Sequence, residues 1–540
     1  MERPSVAADD TEARVPVVET VRANGGTPLQ RGKRQRLLAL DLMRGLIMIV
    51  MAWDHTKDIW VSKAWSPKSR GAEGWEGEFS SYDNNWWFFF ARAISNLSAP
   101  GFFFTMGMSM SMFTVVRKQQ GWVTPQIVKH FLIRAVVLLL VGRIINAPFG
   151  MGRVAMYLKG EDVPTQDSWI HPHHPVQLLV ASFLSSFQVM TGLGLTMATA
   201  LLVLLPLYHV DKSQYNSDQA SGRSGIEEEE WTPSAEVPLL PNNTENEMVA
   251  RRKSWTKVVL WDSISTAEWA AYALFTLFYI FSNTVITAAQ GDDFYTPLHN
   301  VTFPDTNLHA ETVWQTIQRL YMYPGYLPNP LGHAAYPVFP WIAVTTLGIG
   351  FGFSLKRHPD ATIRRLGVLS LVFLGLFLIV RFFGGSMGNL RGLPRGDGVR
   401  EGYPQIDKLL AFFIMSKYPP SLAFTLFYVG IDSGIIYGFF RSMTWYPAKR
   451  NELSSKWAPV LFFWDTCKIF GEVPLFFYIM HFWILGPLSF VACLITDDFR
   501  ISLPLCAILW IFVLGLLRPL CSQYGAFKAT TAKNSWWRLL

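Results

Sequence analysis

Cysteine is scarce in this chain. The four present in 540 residues, Cys467, Cys493, Cys506 and Cys521, all lie late in the sequence and none forms a CxxC pair. That argues against both a disulfide framework and a cysteine zinc site. Charge is scarce as well: only 16% of residues are charged, while 50% are hydrophobic and 15% aromatic, a balance that a soluble globular domain does not sustain. The net charge of +7 is modest, and its cations sit beside apolar runs instead of in basic tracts, so no nucleic-acid partner is expected. No internal repeat points to a transporter built from two similar halves. The first apolar run begins only near Leu37, behind a polar stretch, so no cleavable secretory signal is expected.

What is abundant is apolar runs of membrane-spanning length. Ten segments qualify: 37–60, 93–116, 129–147, 183–208, 267–289, 337–355, 366–383, 419–441, 471–495 and 502–520. The expected fold is therefore all-α, a polytopic integral membrane protein of about ten transmembrane helices in a lipid bilayer. Residues 1–35 read as a disordered cytosolic tail, 36–208 as a first membrane block, 209–266 as a disordered cytosolic loop, 267–525 as a second membrane block and 526–540 as a cytosolic tail. If the first helix runs outward, short cytosolic connections hold Arg117, Lys118 and Lys129, then Lys356, Arg357, Arg364 and Arg365, then Arg441, Lys449, Arg450 and Lys456. This matches the positive-inside rule and places both termini in the cytosol. The loop 384–418 fits least, because Arg391, Arg395 and Arg400 fall on its outer side. Of two glycosylation acceptor patterns, Asn242 falls in the cytosolic loop and Asn300 in the outer segment 290–335, so Asn300 is the expected glycan site.

The opening run, Leu37 to Trp60, is apolar yet carries Asp41, Arg44, Asp54 and His55. Ionisable groups at membrane depth mark function. Arg44 and His55 are eleven positions apart, so on a helix they return to within about 20° of one face, separated by about 16 Å along the axis. Asp41, three residues before Arg44, lies on the same side. A cation toward one surface and an imidazole toward the other suit a substrate that spans the bilayer, and a polar passage between them is expected.

At this helix a family resemblance begins. Leu40-Asp41-Leu42-Met43-Arg44-Gly45 followed by Met51-Ala52-Trp53-Asp54-His55-Thr56 resembles the opening of the membrane acyltransferases similar to the catalytic domain of heparan-alpha-glucosaminide N-acetyltransferase. The Arg44 to His55 spacing is also similar to that of the broader transmembrane acyltransferase group. Further matches follow in order: Ala99-Pro100-Gly101 through Gly107, Tyr336-Pro337-Val338-Phe339-Pro340-Trp341, Lys417-Tyr418-Pro419-Pro420-Ser421-Leu422, Gly471-Glu472-Val473-Pro474 through His481, and Cys521 to Leu540. The resemblance implies a ten-helix core that takes an acyl group, acetyl above all, from cytosolic acyl-CoA to a hydroxyl or amine, such as a sugar's, on the opposite side. The loop histidine of the heparan enzyme has no counterpart between Lys57 and Trp87, and Asn96 stands where bacterial relatives carry histidine. His55 is then the nearest catalytic candidate. A transporter and an inactive family member remain the alternatives, and a homodimer is allowed.

Acyl transfer needs a base or an acyl carrier, plus stabilisation of an oxyanion. His55, with an ordinary pKa of about 6.5, suits either role. Asp54 is its neighbour in sequence, and Asp58, four residues on, is placed to orient the ring. Arg44 is either a phosphate ligand for CoA, a cation snorkelling to the surface, or the structural ion-pair partner of Asp41. Asn96, His333 at the outer mouth and His481 inside an apolar helix are acceptor or supporting candidates. For His481 a satisfied core histidine is the plainer reading. Arg381 divides similarly between phosphate binding and structure. His171, His173 and His174 are separated or flanked by proline and read as a surface loop, so no metal is expected. The glycines between Phe102 and Met112 are expected to permit close helix packing.

Overall fold

The computed structural model describes residues 28–61, 86–160, 189–220, 264–290, 312–328, 333–383, 457–496 and 500–532, most of 412–443, residue 537 and a few positions between 176 and 187. Ten long helices each cover most of one of the ten apolar segments: α1 Pro28–Trp60, α3 Ser98–Gln119, α4 Thr124–Leu158, α5 Val189–Ala220, α6 Thr266–Gln290, α8 Val338–Arg357, α9 Pro359–Phe383, α10 Leu422–Ser442, α12 Pro474–Ile495 and α13 Leu503–Thr530. Shorter helices α2 Trp86–Ser95, α7 Val313–Tyr321 and α11 Ala458–Glu472 complete the set among the described residues. Seven helical stretches are long and apolar enough to cross a membrane, the seven built on α3, α5, α8, α9, α10, α12 and α13. Helices α1, α4 and α6 are outside that group, and α1 carries Asp41, Arg44, Asp54, Lys57 and Asp58.

Several boundaries differ from the expectation. Helix α1 begins at Pro28, where proline's fixed φ and missing N–H are tolerated in the first turn, so the last eight residues assigned to the tail, 28–35, are helical. Helix α5 runs on to Ala220, into the stretch expected as a loop, and α13 reaches Thr530. Residues 183–208 do not form one helix. Strand β1, Ser186–Phe187, precedes α5 and joins β2, Gly325–Tyr326, and β3, His333–Ala334, in a small sheet of order β1-β3-β2. Asn300 and the His171 cluster lie outside the described residues.

The bundle is apolar on its outside as well as in its core. Large apolar side chains face outward in helical stripes: Leu132, Val136, Leu140 and Ile144 at four-residue spacing on α4, Leu371, Ile379 and Phe383 on α9, and Leu505, Ile508 and Phe512 on α13. Polar groups turn inward, among them Ser111, Thr345, Thr346, Thr425, Asp432, Arg381 and His481. Patches of this extent mark contact with an apolar medium. Helix α8 is buried along nearly its whole length at the centre. Deep inside, Arg365 of α9 pairs bidentately with Glu268 of α6 through bonds of 3.0 and 2.9 Å, and Ser354 and Tyr272 donate to the same carboxylate.

Glycine sets the closest helix approaches. A methyl group on Gly107 would lie 2.0 Å from the Thr345 carbonyl oxygen, and one on Gly348 would lie 2.2 Å from that of Phe104. Backbone against backbone, α3 and α8 therefore pack as the sequence predicts for the first of these glycines. The contacts also fix direction. Phe104 and Met108 face Gly348 and Gly352, so α3 runs parallel to α8. Glu268 and Ala271 face Ser354 and Gly350, so α6 runs antiparallel to α8. Gly367 faces Tyr437 while Gly430 faces Phe373 and Leu374, so α9 and α10 are antiparallel.

The tightest crossing joins α1 and α11. A Cβ on Gly45 would lie 1.8 Å from the Cys467 carbonyl oxygen, and one on Gly471 would lie 1.7 Å from that of Asp41. Because rigid backbone meets it, Gly471→Ala is expected to lower stability by about 3 kcal/mol, the upper end for overpacking. Gly375→Ala, whose added methyl meets nothing within 4 Å, is expected to change little. Thermal unfolding of both variants in detergent checks the contrast.

Candidate functional site

Two short sequence features bring the site together. Pro474 ends α11 by excluding helical backbone at Val473, and α12 restarts there with proline in its first turn. Since Gly471 is pressed against Asp41, α12 rises beside the later half of α1 and carries His481 to His55. The far end of α1 is held by three further ties. Trp53 Nε1 donates to the Ala91 carbonyl at 2.8 Å, Trp510 Nε1 donates to that of Ile49 at 3.1 Å, and Ile501 N donates to that of Trp60 at 2.8 Å.

His55 Nδ1 and His481 Nε2 are 2.8 Å apart, with the two rings within 11° of parallel. His481 is fully buried, and its Nδ1 lies 3.2 Å from the Phe477 carbonyl oxygen. That oxygen can only accept, so His481 carries its proton on Nδ1 and, when neutral, presents Nε2 as an acceptor. His55 Nδ1 then donates to it, which leaves the lone pair of neutral His55 on Nε2. Phe482 packs on both rings, at 4.4 Å from His55 and 4.1 Å from His481, and Tyr478 stands edge-on.

The acidic neighbours do other work than expected. Asp58 does not orient the imidazole in the described contacts, because His481 takes Nδ1; the exposed Asp58 carboxylate faces Arg92 at 3.4 Å. Asp54 accepts from Lys57 at 3.0 Å and Arg92 at 2.9 Å, and its negative charge acts on the neighbouring His55 without a hydrogen bond to the ring in the described contacts. The charge of Lys417, buried before α10, also acts on Asp54 and His55. The imidazole pair thus sits beside three cations, of which the sequence reading had singled out none.

Arg44 forms a separate centre. Its Nη1 donates to Asp41 at 2.7 Å and its Nη2 to Ser109 of α3. The ion-pair alternative for Arg44 is therefore present in the structure, and its guanidinium retains 24% side-chain exposure. Arg134 of α4 is near enough for the two positive charges to interact. Between Arg44 and His55, the residues on the shared face are Met48 and Met51, 1% and 4% exposed. Packed methionines, not a polar passage, therefore separate the two groups.

The remaining candidates are scattered. Asn96 is buried and donates to the Tyr428 hydroxyl at 3.3 Å, away from the imidazole pair. The backbone of His333 lies in the central strand of the small sheet. Arg381 is fully buried and donates to the Phe412 carbonyl at 2.7 Å, a structural contact. No group of three or more metal-ligating residues occurs among the described residues. Asp432, fully buried on α10, was not singled out by the sequence reading, although an aspartate inside an apolar run is the kind of signal that marked Asp41.

No known protein family and no curated protein matches the chain. The hydrogen-bond polarity of the imidazole pair makes a direct expectation. In nitrogen-15 spectra of labelled protein, both neutral histidines should be protonated on Nδ1, and His481→Phe should abolish that preference at His55.

Proposed function

We propose that the chain is a multi-pass membrane acyltransferase that moves an acyl group, acetyl above all, from cytosolic acyl-CoA to a hydroxyl or amine acceptor on the opposite side. The observation that carries this reading is the His55–His481 pair, whose polarity leaves His55 Nε2 as a proton acceptor. In the step, His55 Nε2 takes the proton of the acceptor as its oxygen or nitrogen attacks the thioester carbonyl. Lys57, Arg92 and Lys417 supply positive charge for the oxyanion. The carbon–sulfur bond then breaks, and His55 returns the proton to the departing CoA thiolate. His481 holds the His55 tautomer and shares the positive charge that develops on the ring. Arg44, with Arg134 nearby, is suited to the CoA phosphates at the cytosolic end. On this reading the pantetheine arm reaches His55 only if Met48 and Met51, unbranched side chains, move aside from their packed positions.

About ten spans with both termini in the cytosol is the topology that accompanies this reading. The helix directions support it: α3, α8 and α10 share one direction, whereas α6 and α9 oppose their partners, as alternation requires. Lys or Arg closes α3, α8, α10 and α13 in the last turn, where cations favour both the cytosolic surface and the helix C-terminus.

A second reading, a permease that moves a solute without chemistry, draws on Arg381 and Asp432, two ionisable groups held fully inside the bundle. Turnover of radiolabelled acetyl-CoA by the purified chain separates the two. His55→Ala is expected to lower transfer by about 10²- to 10⁴-fold, the usual contribution of a general base. His481→Ala should cost about 10- to 100-fold, as loss of a group that orients an imidazole does. His481→Gln, whose amide oxygen can accept from His55 Nδ1, should recover most of that loss. Solute uptake with no CoA turnover would overturn the transferase. Sidedness has its own readout, since Asn300→Gln should remove a glycan and speed the protein's gel migration.

A further inference from the structure

The most isolated polar group among the described residues is the carboxylate of Asp432. It is 0% exposed, it sits midway along α10, and neither oxygen has a hydrogen-bond partner. The side chain is aimed at α3, since its Oδ2 lies 3.3 Å from where a Cβ on Gly101 would stand, with Ile47 of α1 against the same glycine. Another oxygen with vacant bonding capacity lies on the facing surface: the Ser98 hydroxyl, one turn before Gly101 on the same face of α3, is buried and without a partner. Tyr428, one turn before Asp432, meets Asn96 at 3.3 Å, so the segments 96–101 and 428–433 run side by side.

Charged groups on the elements packed against α10 are engaged elsewhere. On α1, Arg44 is held by Asp41 and Ser109, and Asp54 by Lys57 and Arg92, which also faces Asp58. On α3, Arg117 bonds Gln120 and Lys118 bonds Thr124 at the far end. On α9, Arg364 bonds the Asp360 carbonyl, Arg365 pairs with Glu268 and Arg381 with the Phe412 carbonyl. Arg441 lies at the end of α10 itself. A buried carboxyl group without a protein partner either holds a proton or sits against a cation.

We propose that Asp432, with Ser98 on the facing helix, forms a binding site for one monovalent cation, a proton or sodium ion, inside the bundle. Oxygen-only donors and a single negative charge suit a hard, singly charged ion. The site shares no hydrogen bond with the imidazole pair among the described residues and does not rest on acyl transfer.

The test is labelling of the full-length purified chain with dicyclohexylcarbodiimide, a reagent for protonated carboxyl groups in apolar surroundings, followed by peptide mass spectrometry. Asp432 is expected to be modified, with Glu268, already paired to Arg365, as the unmodified internal comparison. Protection by sodium chloride over N-methylglucamine chloride, about tenfold when sodium stands at about ten times its dissociation constant, identifies sodium. Labelling that slows as pH rises and ignores sodium identifies the proton. No modification of Asp432, or a rate indifferent to both ions, overturns the proposal. Asp432→Asn should remove the label and also the dependence of the melting temperature on that ion. A parent protein whose melting temperature ignores both ions would count against the site.

Discussion

The backbone crossing of α1 and α11 is the constraint on which the rest of the arrangement depends. Gly45 meets the carbonyl of Cys467 and Gly471 meets that of Asp41, at distances that leave no room for a side chain. Immediately after this crossing, Val473 and Pro474 turn the chain into α12. Position and direction of α12 follow from the crossing, and with them the meeting of two histidines 426 positions apart.

A second regularity is how the bundle treats polarity. Outer stripes of leucine, isoleucine and phenylalanine leave no outward hydrogen-bonding partner, so the polar groups must find partners within. Most do. Glu268 receives Arg365, Ser354 and Tyr272; Thr105, Thr114 and Thr345 bond carbonyls one turn back in their own helices. Against that background the polarised imidazole pair and the unpartnered Asp432 stand apart. The first has a proton acceptor left over, and the second has two carboxyl oxygens without a partner.

Much of the helical scaffold was legible in the sequence. A long helix covers most of each expected apolar segment, as it would if these runs of about twenty apolar residues had to satisfy their backbone internally. Boundaries were less legible. Helix α1 extends back through Arg31, Lys33, Arg34 and Arg36, and α5 runs on to Ala220, because hydropathy marks where a helix is apolar and not where its hydrogen bonds stop. The glycines between Phe102 and Met112 were identifiable as packing positions, but their partner helix was not.

Sequence alone determined that the chain is helical, that its apolar runs are of membrane-spanning length, and that the apolar run of α1 carries ionisable groups. These follow from composition and from the 3.6-residue period, which are local properties. Tertiary structure decided which groups meet. Helical spacing put Arg44 and His55 on one face, but side chains respond to the helix opposite them. Arg44 therefore turns to Ser109, His55 to His481, and Met48 and Met51 fill the interval. Asp58, chosen by its spacing from His55, lost the imidazole to a residue more than four hundred positions away, because the glycine crossing had already placed α12 there.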